Sequence, residues 1–359
     1  MRAGRVAVHE EGRDAVAVGP PQKGPNPGHR TLLLADLRHR THRLRSYASS
    51  VARGDPDPAR IVCLGEALVD LIGEPPGQDP EHFGVHFGGA LANVAVAVVR
   101  HGAPAALAGG LGDDGFGHLL RGRLREEGVA LNHLTLLEDM ATPFAFVRTE
   151  PSGDPSFELH GAGIEAGVAS LSGNEQELLA GAAALVVGSN TLTTEPARTV
   201  TRRVVDEAGR AGVPVLFDPN LRPGRWGRIE TALERCRALA ASATVIKANL
   251  EEARLLGAAD GSDPAALAAG LLDLGPRLAV VTAGAAGAVA RLAGEDAAYR
   301  CPPAAAVEQP WPLGAGDAFM GALAAGLHHR GWDLGRIAEV LPLAATAGAE
   351  ACRRPGAIA

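Results

Sequence analysis

The sequence contains few residues that could cross-link the chain or anchor it in a membrane. Its four cysteines lie far apart, with neither metal-ligand spacing nor the density of a disulfide-stapled secreted domain. The apolar stretch at residues 31–37 is far too short to span a membrane, and arginines follow it, which reverses the order of a signal peptide. These absences favour a cytoplasmic protein without a membrane span.

The signatures of several enzyme classes are also missing. A Walker A sequence is absent, so a phosphate site here cannot be a P-loop. The 12 histidines show no paired metal spacing. Gly110, Gly112 and Gly115 do form a GxGxxG pattern, but Asp113 and Asp114 beside them would repel a pyrophosphate. A dinucleotide-dependent oxidoreductase is therefore a distant alternative.

Positive charge is scarce in most of the chain. Residues 1–60 hold 11 Lys and Arg against 6 Asp and Glu, whereas residues 61–359 hold 23 against 35. Nucleic-acid binding needs clustered basic side chains, so the acidic body argues against it and favours a small-molecule partner. Residues 1–58 are rich in Arg, Gly and Pro and lack periodicity, which predicts a flexible basic extension ahead of one domain at residues 59–359.

The body of the chain alternates short apolar runs with segments of helical length. This alternation predicts a doubly wound, mostly parallel α/β sheet with helices on both faces, which binds ligands at the carboxyl ends of its strands. Residues 73–87 and 143–160 interrupt the alternation, and we expect them to form a small β lid, the second piece as a hairpin with its turn at residues 151–155. The predicted strands are 61–72, 104–112, 183–190, 213–220, 244–249 and 278–284, and the clearest predicted helices are 91–102, 117–128 and 196–212.

The most informative segment is PLGAGDAFMGALAAGLHH at residues 312–329. Small residues lead directly into an apolar helix, so Gly314, Ala315 and Gly316 offer backbone N–H groups at a helix N-terminus, where phosphate oxygens bind well. Asp317 would then face the phosphate and take a proton from an attacking hydroxyl. Taken alone, the segment fits a kinase about as well as an ordinary glycine-rich turn with an N-capping Asp.

This segment resembles the C-terminal signature of the ribokinase-like (PfkB) carbohydrate kinases, within which the chain is most similar to fructokinases and 2-keto-3-deoxygluconate kinases. The resemblance implies a ribokinase-like α/β fold. It also implies that Asp317 is the catalytic base and that Gly314, Ala315 and Gly316 form the anion hole around the transferred phosphoryl group.

A second signature of the family, a Gly-Gly-x-x-x-Asn run, is similar to FGGALANVAVAVVRHGA at residues 87–103. It implies that Gly88, Gly89 and Asn93 lie on the sugar side of the site, and an Asn side chain can both donate to and accept from hydroxyls. The family also places a sugar ligand at the carboxylate of GEALVDLI, which is Asp70 here. Without the resemblance, a turn before a helix and a solvated strand-end Asp would explain these residues as well.

The segment FDPNLRPGRW at residues 217–226 is similar to a stretch of fructokinases and 2-keto-3-deoxygluconate kinases. The resemblance implies that Arg222 reaches phosphate or sugar-acid oxygens with its planar guanidinium group. We expect Asp218, Pro219 and Asn220 only to shape the turn.

Two further matches imply the nucleotide side of the site. KANLEEARLLG at residues 247–257 contains the family's Asn-x-x-Glu pattern, in which Glu252 would organise Mg²⁺ through water, although first-turn acids also occur simply because the helix dipole favours them. VTAGAAGA at residues 281–288 matches a Thr-x-Gly-x-x-Gly spacing that approaches the nucleotide. The residues assigned to the nucleotide are Lys247, Asn249, Thr282, Gly284 and Gly287.

The chain departs from the family pattern at two places. Trp311 and Pro312 replace an Asp-Thr pair whose Asp belongs to a loop that helps bind a monovalent cation in many members, so cation activation is in doubt here. Pro312 also removes a backbone donor at the entry to the anion hole. In the lid, Leu159 and His160 replace an aromatic–Arg pair of fructokinase-like members.

The motifs together predict an ATP- and Mg²⁺-dependent kinase that phosphorylates a small sugar. The preferred acceptor is a fructose-like ketose or a keto-deoxy sugar acid, with ribose and nucleosides as alternatives. A competing hypothesis is a non-catalytic sugar- or nucleotide-binding relic, which Trp311 and Pro312 suggest and the intact Asp317 opposes. Because the lid is often a subunit contact in this family, a homodimer through the lid is a further hypothesis.

Overall fold

The computed structural model describes residues 59–74, 79–150, 155–257, 261, 263–303, 311–353 and 356. The extension predicted at residues 1–58 and most of the predicted hairpin turn lie outside these residues. The described strands are β1 (Arg60–Leu64), β2 (Leu68–Glu74), β3 (His82–Gly88), β4 (Ala105–Gly112), β5 (Ala130–Leu137), β6 (Phe144–Thr149), β7 (Pro155–His160), β8 (Ala182–Gly188), β9 (Val215–Asp218), β10 (Val245–Asn249), β11 (Leu278–Thr282), β12 (Ala288–Leu292) and β13 (Ala298–Cys301). The described α-helices are α1 (Ala90–Arg100), α2 (Gly115–Glu126), α3 (Gly163–Ala169), α4 (Glu175–Leu179), α5 (Glu195–Ala211), α6 (Ile229–Ala240), α7 (Leu250–Gly257), α8 (Pro264–Leu272), α9 (Ala315–His328) and α10 (Ile337–Ala351).

Nine strands form the large sheet, in the order β13-β12-β11-β10-β9-β8-β1-β4-β5. The strands from β11 to β5 pair in parallel, while β12 and β13 add antiparallel pairs at one side. Parallel neighbours require crossover connections, which the helices between them supply. The predicted doubly wound α/β fold with a mostly parallel sheet is confirmed.

Both faces of the large sheet are buried. Along β1, Ile61 and Cys63 belong to one apolar cluster and Val62 and Leu64 to another, as expected because successive strand residues point to opposite faces. Helices α1, α9 and α10 contribute to the first cluster, and α5, α6 and α8 to the second. This two-sided burial explains why the strands read as continuous apolar runs in the sequence.

A small sheet of four strands, in the order β3-β2-β6-β7, lies apart from the large one in hydrogen bonding. Its strands include most of the described parts of residues 73–87 and 143–160, the two stretches predicted to form a lid. The single strand predicted at residues 61–72 is wrong: β1 enters the large sheet and β2 the small one, with residues 65–67 between them. Both halves are apolar, so hydrophobic periodicity gave no sign of the break.

The GxGxxG pattern has a packing function in this fold. A Cβ on Gly110 would lie 2.5 Å from the Cα of Gly167, so glycine allows α3 to approach β4 closely. Asp114 caps α2 by accepting from the backbone N–H of Gly117 at 2.8 Å, and it also accepts from the Thr142 hydroxyl at 2.7 Å. A capping carboxylate therefore occupies the place where a dinucleotide phosphate would have to bind.

Candidate active site

Polar side chains gather at the carboxyl ends of neighbouring strands in the large sheet. Asp218 ends β9, Lys247 and Asn249 lie in β10, and Thr282 ends β11. Asn249 and Thr282 are register partners across β10 and β11. In a parallel sheet all carboxyl ends face the same edge, so the strands bring these side chains together.

Asp317 joins this edge from the first turn of α9. The helix begins after Gly314, whose φ of 79° is a left-handed conformation that favours glycine. The Asp317 carboxylate is buried and accepts from Asn93 Nδ2 at 2.8 Å and from Asn220 Nδ2 at 3.4 Å. The Ala315 N–H donates to the Pro312 carbonyl at 3.2 Å, whereas the N–H groups of Gly316 and Asp317 come before the first hydrogen bond of the helix, from Ala318 to Gly314, and can receive an anion.

The pKa of Asp317 is raised to about 6, chiefly because burial penalises the charged form. The Asn93 hydrogen bond opposes this effect, Asp218 adds to it, and Lys247 and Arg222 oppose it. The carboxylate is thus ionised at neutral pH while its pKa stays near the working range of a general base.

Lys247 places a positive charge beside the start of α9. Its ammonium group donates to Asp218 Oδ2 at 2.8 Å, and both side chains are buried. A Cβ on Gly316 would lie 3.0 Å from Lys247 Nζ. Burial lowers the pKa of Lys247, but Asp218 and Glu252 outweigh it and hold that pKa above its usual range. A charged lysine next to a helix N-terminus suits a phosphate group.

Glu252 and Asn249 cap each other at the start of α7. The Asn249 backbone N–H donates to Glu252 Oε2, and the Glu252 backbone N–H donates to Asn249 Oδ1, each at 2.9 Å. Glu252 Oε1 accepts from the Leu221 N–H at 2.8 Å, which joins the start of α7 to the loop after β9. The carboxylate therefore has a structural function, and its predicted magnesium role stays a prediction.

On the other side of Asp317, Asp70 lies in β2 of the small sheet. A Cβ on Gly88 would lie 2.0 Å from Asp70 Oδ2, so only glycine fits there. Burial raises the pKa of Asp70 to about 7, the negative charge of Asp317 adds to the rise, and Arg222 opposes it. The effect of Asp317 on the pKa of Asp70 places the two carboxyl groups in one electrostatic environment. Gly89 follows Gly88 and is the N-cap residue of α1, the helix that carries Asn93.

Arg222 connects the loop after β9 to the small sheet. Its guanidinium carbon lies 4.6 Å from the centre of the Phe157 ring in β7, a cation–π distance. Its Nη1 also donates to the Leu221 carbonyl at 3.2 Å. Arg222 is the cation that moderates the pKa values of both Asp70 and Asp317.

Two glycines follow β11, on the proposed nucleotide side of the site. Gly284 and Gly287 form the turn into β12 with φ values of 53° and 92°, and the Thr282 hydroxyl donates to the Ala248 carbonyl at 3.4 Å. Their connection to the site runs through Asn249, the register partner of Thr282.

The prediction that Asp218 and Asn220 only shape a turn is wrong. Asp218 pairs with Lys247, and Asn220 donates to Asp317 from a left-handed conformation with φ of 41°. Asn tolerates this conformation better than most residues. The signal in the sequence was their position directly after a buried strand, at the edge where ligands bind.

Trp311 and Leu313 precede α9 and pack against the apolar cluster of the small sheet, which includes Leu68 and Ile164. The Trp311 N–H donates to the Cys352 carbonyl at 2.9 Å, at the end of α10. In the small sheet His160 stacks on Phe144, with ring centres 5.1 Å apart. Of the residues that depart from the family pattern, Trp311, Leu159 and His160 are therefore partly buried and packed, whereas Pro312 is exposed.

A buried aspartate and a charged lysine at a helix N-terminus, at the carboxyl edge of a doubly wound sheet, are suited to the handling of phosphate groups. Residues 58–359 match the model of the pfkB family of carbohydrate kinases, so the chain belongs to that family. It is an ATP-dependent carbohydrate kinase.

The chain is also similar to individual carbohydrate kinases. A fructokinase of Klebsiella pneumoniae is 35% identical over 313 residues, covering 83% of this chain and 95% of that protein. The crystal structure of a fructokinase with bound ATP from Xylella fastidiosa has a TM-score of 0.73 at 29% identity, covering 83% and 94% of the two chains. An aminoimidazole riboside kinase from Salmonella enterica, complexed with aminoimidazole riboside and an ATP analog, has a TM-score of 0.69 at 28% identity, covering 83% and 95%.

Proposed function

We propose that this kinase transfers the γ-phosphate of ATP to a hydroxyl group of a small sugar, with Asp317 as the catalytic base. The observation that carries the proposal is the buried Asp317 carboxylate, held by Asn93 and Asn220 beside the first N–H groups of α9. The base takes the hydroxyl proton as the oxygen attacks phosphorus. The helix N–H groups and the Lys247 ammonium stabilise charge on the transferred phosphoryl group.

The proposed acceptor is a fructose-like ketose or a keto-deoxy sugar acid. The fructokinase relatives support a ketose, and Asp70 with Gly88 and Gly89 would hold its hydroxyls. Arg222 supports an acidic sugar, because a guanidinium group binds a carboxylate through two parallel hydrogen bonds. A ribose or nucleoside acceptor is the second candidate, favoured by the similarity to the aminoimidazole riboside kinase.

The nucleotide is proposed to bind along the carboxyl edge of β10 and β11. Lys247, Asn249 and Thr282 lie at that edge, with Gly284 and Gly287 in the following turn. Mg²⁺, when bound, would neutralise phosphate charge and be held mainly by phosphate oxygens and water. A water-mediated contact with Glu252 fits the structure, because both oxygens of that carboxylate already accept backbone N–H groups.

The small sheet is proposed to close over the sugar and to exclude water that would otherwise hydrolyse ATP. Asp70 reaches the site from this sheet, and the contact of Arg222 with Phe157 joins it to the catalytic edge. Closure would therefore bring the sugar ligand and the base together.

The same sheet is the proposed contact of a homodimer. Val85 lies on β3, at the side of the small sheet, and is 50% exposed, which is high for an apolar side chain. A cytoplasmic location is also proposed, because the four cysteines are free thiols in the structure. Within the described residues, no helix is long and apolar enough to cross a membrane.

The test is ADP release from Mg-ATP with fructose, 2-keto-3-deoxygluconate, ribose, tagatose 6-phosphate and adenosine. The wild type is compared with Asp317→Asn and with Asp113→Asn, which changes an exposed carboxylate outside the site. We expect release that depends on one acceptor class and disappears only in Asp317→Asn. Measurable ATP binding without release for any acceptor would instead support the non-catalytic relic.

A further inference from the structure

Helix α1 begins without a capping side chain of its own. Its N-cap residue is Gly89, which has no side chain to accept the first N–H groups. Glu66, from a segment 24 positions away, accepts them instead: its side-chain Oε1 accepts from the Ala90 N–H at 3.2 Å, and its backbone carbonyl accepts from the Ala92 N–H at 3.1 Å. Glu66 lies between β1 and β2 and therefore acts as the cap that the helix lacks.

Glu66 is itself fixed in place. Only 2% of its surface is exposed, and the same oxygen, Oε1, accepts from Asn190 Nδ2 at 2.9 Å. Asn190 lies just after β8, so one oxygen atom joins the ends of β1 and β8 to the start of α1. The charged group facing Glu66 is Arg225, which pairs with Glu165. A buried carboxylate held this way has little freedom to move.

The start of α1 carries a contact of the proposed base. Asn93 lies one turn into the helix, and its backbone N–H donates to the Gly89 carbonyl at 2.9 Å. Its side chain donates to Asp317 Oδ2 at 2.8 Å. A shift of the helix start would therefore move the hydrogen bond that orients Asp317, and small misplacements of a reacting group slow a reaction strongly.

We propose that Glu66 is a positioning residue for phosphoryl transfer, which holds the start of α1 so that Asn93 orients Asp317. The inference rests on the proposed role of Asp317 as the base. Glu66 acts through the helix and Asn93 and need not touch the substrate. The alternative is a cap that contributes only to stability.

Three substitutions of Glu66 distinguish the position of its side-chain oxygen from its negative charge. Glu66→Ala removes the cap, and Glu66→Asp keeps the charge but withdraws the oxygen by one methylene group. Glu66→Gln keeps an oxygen for the Ala90 and Asn190 donors, and the oxygen that it replaces, Oε2, has no partner among the described residues. We expect kcat to fall about tenfold to a hundredfold in the Ala and Asp variants, with little change in KM for ATP, and to recover in Gln.

The pH dependence of kcat gives a readout that a purely structural cap would not move. The Asn93 hydrogen bond lowers the pKa of Asp317, so its loss should move the acid limb of the profile to higher pH. The other charged groups that act on Asp317 are Asp218, Lys247 and Arg222, and Asp70 is coupled to it; none is changed by the substitution. Asn93→Ala should give the same shift.

The matched control is Asp114→Ala, which removes the cap of α2, a helix that brings no residue to the site. It should lower the Tm while kcat and the pH limb stay as in the wild type. If Glu66→Ala lowers the Tm in the same way but keeps a normal kcat and pH limb, the positioning role is wrong. If Glu66→Ala does not fold, the Asp and Gln variants decide, and equal activity in both overturns the proposal.

A measurement without turnover separates this inference from the proposed function. Amide hydrogen exchange at Ala90 should be faster in Glu66→Asp than in Glu66→Gln, because only the former loses the side-chain cap of that N–H. The Asn93 side-chain amide resonance should shift in the same variant. If the wild type transfers phosphate to no acceptor, the proposed function fails, but these two signals still test the link from Glu66 to Asn93. Unchanged signals in Glu66→Asp would refute that link.

Discussion

The two sheets differ in how completely the chain buries them. Every residue of β4 in the large sheet is buried, whereas in β3 of the small sheet only Gly88 is. The large sheet carries Asp218 and Lys247 at its edge and has apolar clusters on both faces, while the small sheet has one small cluster around Leu68 and Ile72. The proposed base therefore lies beside the more completely buried sheet, which is the harder one to deform, whereas Asp70, the proposed sugar ligand, lies in the smaller and less buried sheet.

The largest effect should come from the catalytic edge of the large sheet. Asp317→Asn keeps the shape of the side chain but removes the base, and we expect kcat to fall by about 10²- to 10⁴-fold. ADP release under saturating sugar and ATP measures it. Thermal unfolding should show a folded variant, since the substitution removes a buried charge. Retained turnover would mean that the base lies elsewhere and would break the assignment of catalysis to this edge.

A pair of phenylalanines tests the contrast directly. Phe217 in β9 is fully buried, so Phe217→Ala should cost about 3–5 kcal/mol in free energy of unfolding. Phe157 in β7 is partly exposed and contacts Arg222, so Phe157→Ala should cost much less stability and mainly raise KM for the sugar. Urea unfolding and steady-state kinetics measure the two effects. A similar loss of stability in both variants would show that the two sheets are equally rigid.

The pH should act on activity and stability in opposite directions. The pKa of Asp317 is raised from 3.8 to about 6, so kcat should fall as the pH drops through about 6, because the base becomes protonated. Since the folded pKa lies above the unfolded one, the protonated carboxyl stabilises the fold below about pH 4, and this contribution is lost as the pH rises through about 6.

Unfolding in urea between pH 4 and pH 8 measures the second effect. The wild type should lose stability over this range relative to Asp317→Asn, which has no proton to release. Asp70, whose pKa is raised to about 7, interacts with Asp317. The acid limb of the pH profile of kcat therefore reports the titration of both carboxyl groups together. The same pH dependence of stability in both proteins would contradict the assignment.

The smallest effect on the folded chain should come from the exposed side of the small sheet. Val85→Lys adds a charge at a half-exposed position, so the stability of the monomer should change by no more than about 0.5 kcal/mol. Sedimentation velocity at micromolar concentration should nevertheless show dimer in the wild type and monomer in the variant. A wild type that sediments as a monomer would remove the proposed dimer contact.

Much of the fold could be predicted because its signals are local. The apolar runs at β4, β8, β10 and β11 each match a strand to within a few residues, and the three clearest predicted helices match α1, α2 and α5. Strands that are buried on both faces appear in the sequence as uninterrupted apolar runs. Helices show a different signal, because their apolar residues recur with the period of the helix. The break between β1 and β2 could not be predicted, because the choice between two sheets depends on partners far away in the sequence.

The family, the alternation of strands and helices, and the helix that follows Gly314 with Asp317 in its first turn could all be inferred from the order of residues alone. Which polar residues share the site depends on how the chain packs in three dimensions. Asn93 and Asn220 lie 224 and 97 positions from Asp317, and Glu66 caps a helix 24 positions away. Motifs record local geometry, whereas these hydrogen bonds exist only because packing of the large sheet and its helices brings distant chain segments within about 3 Å of each other.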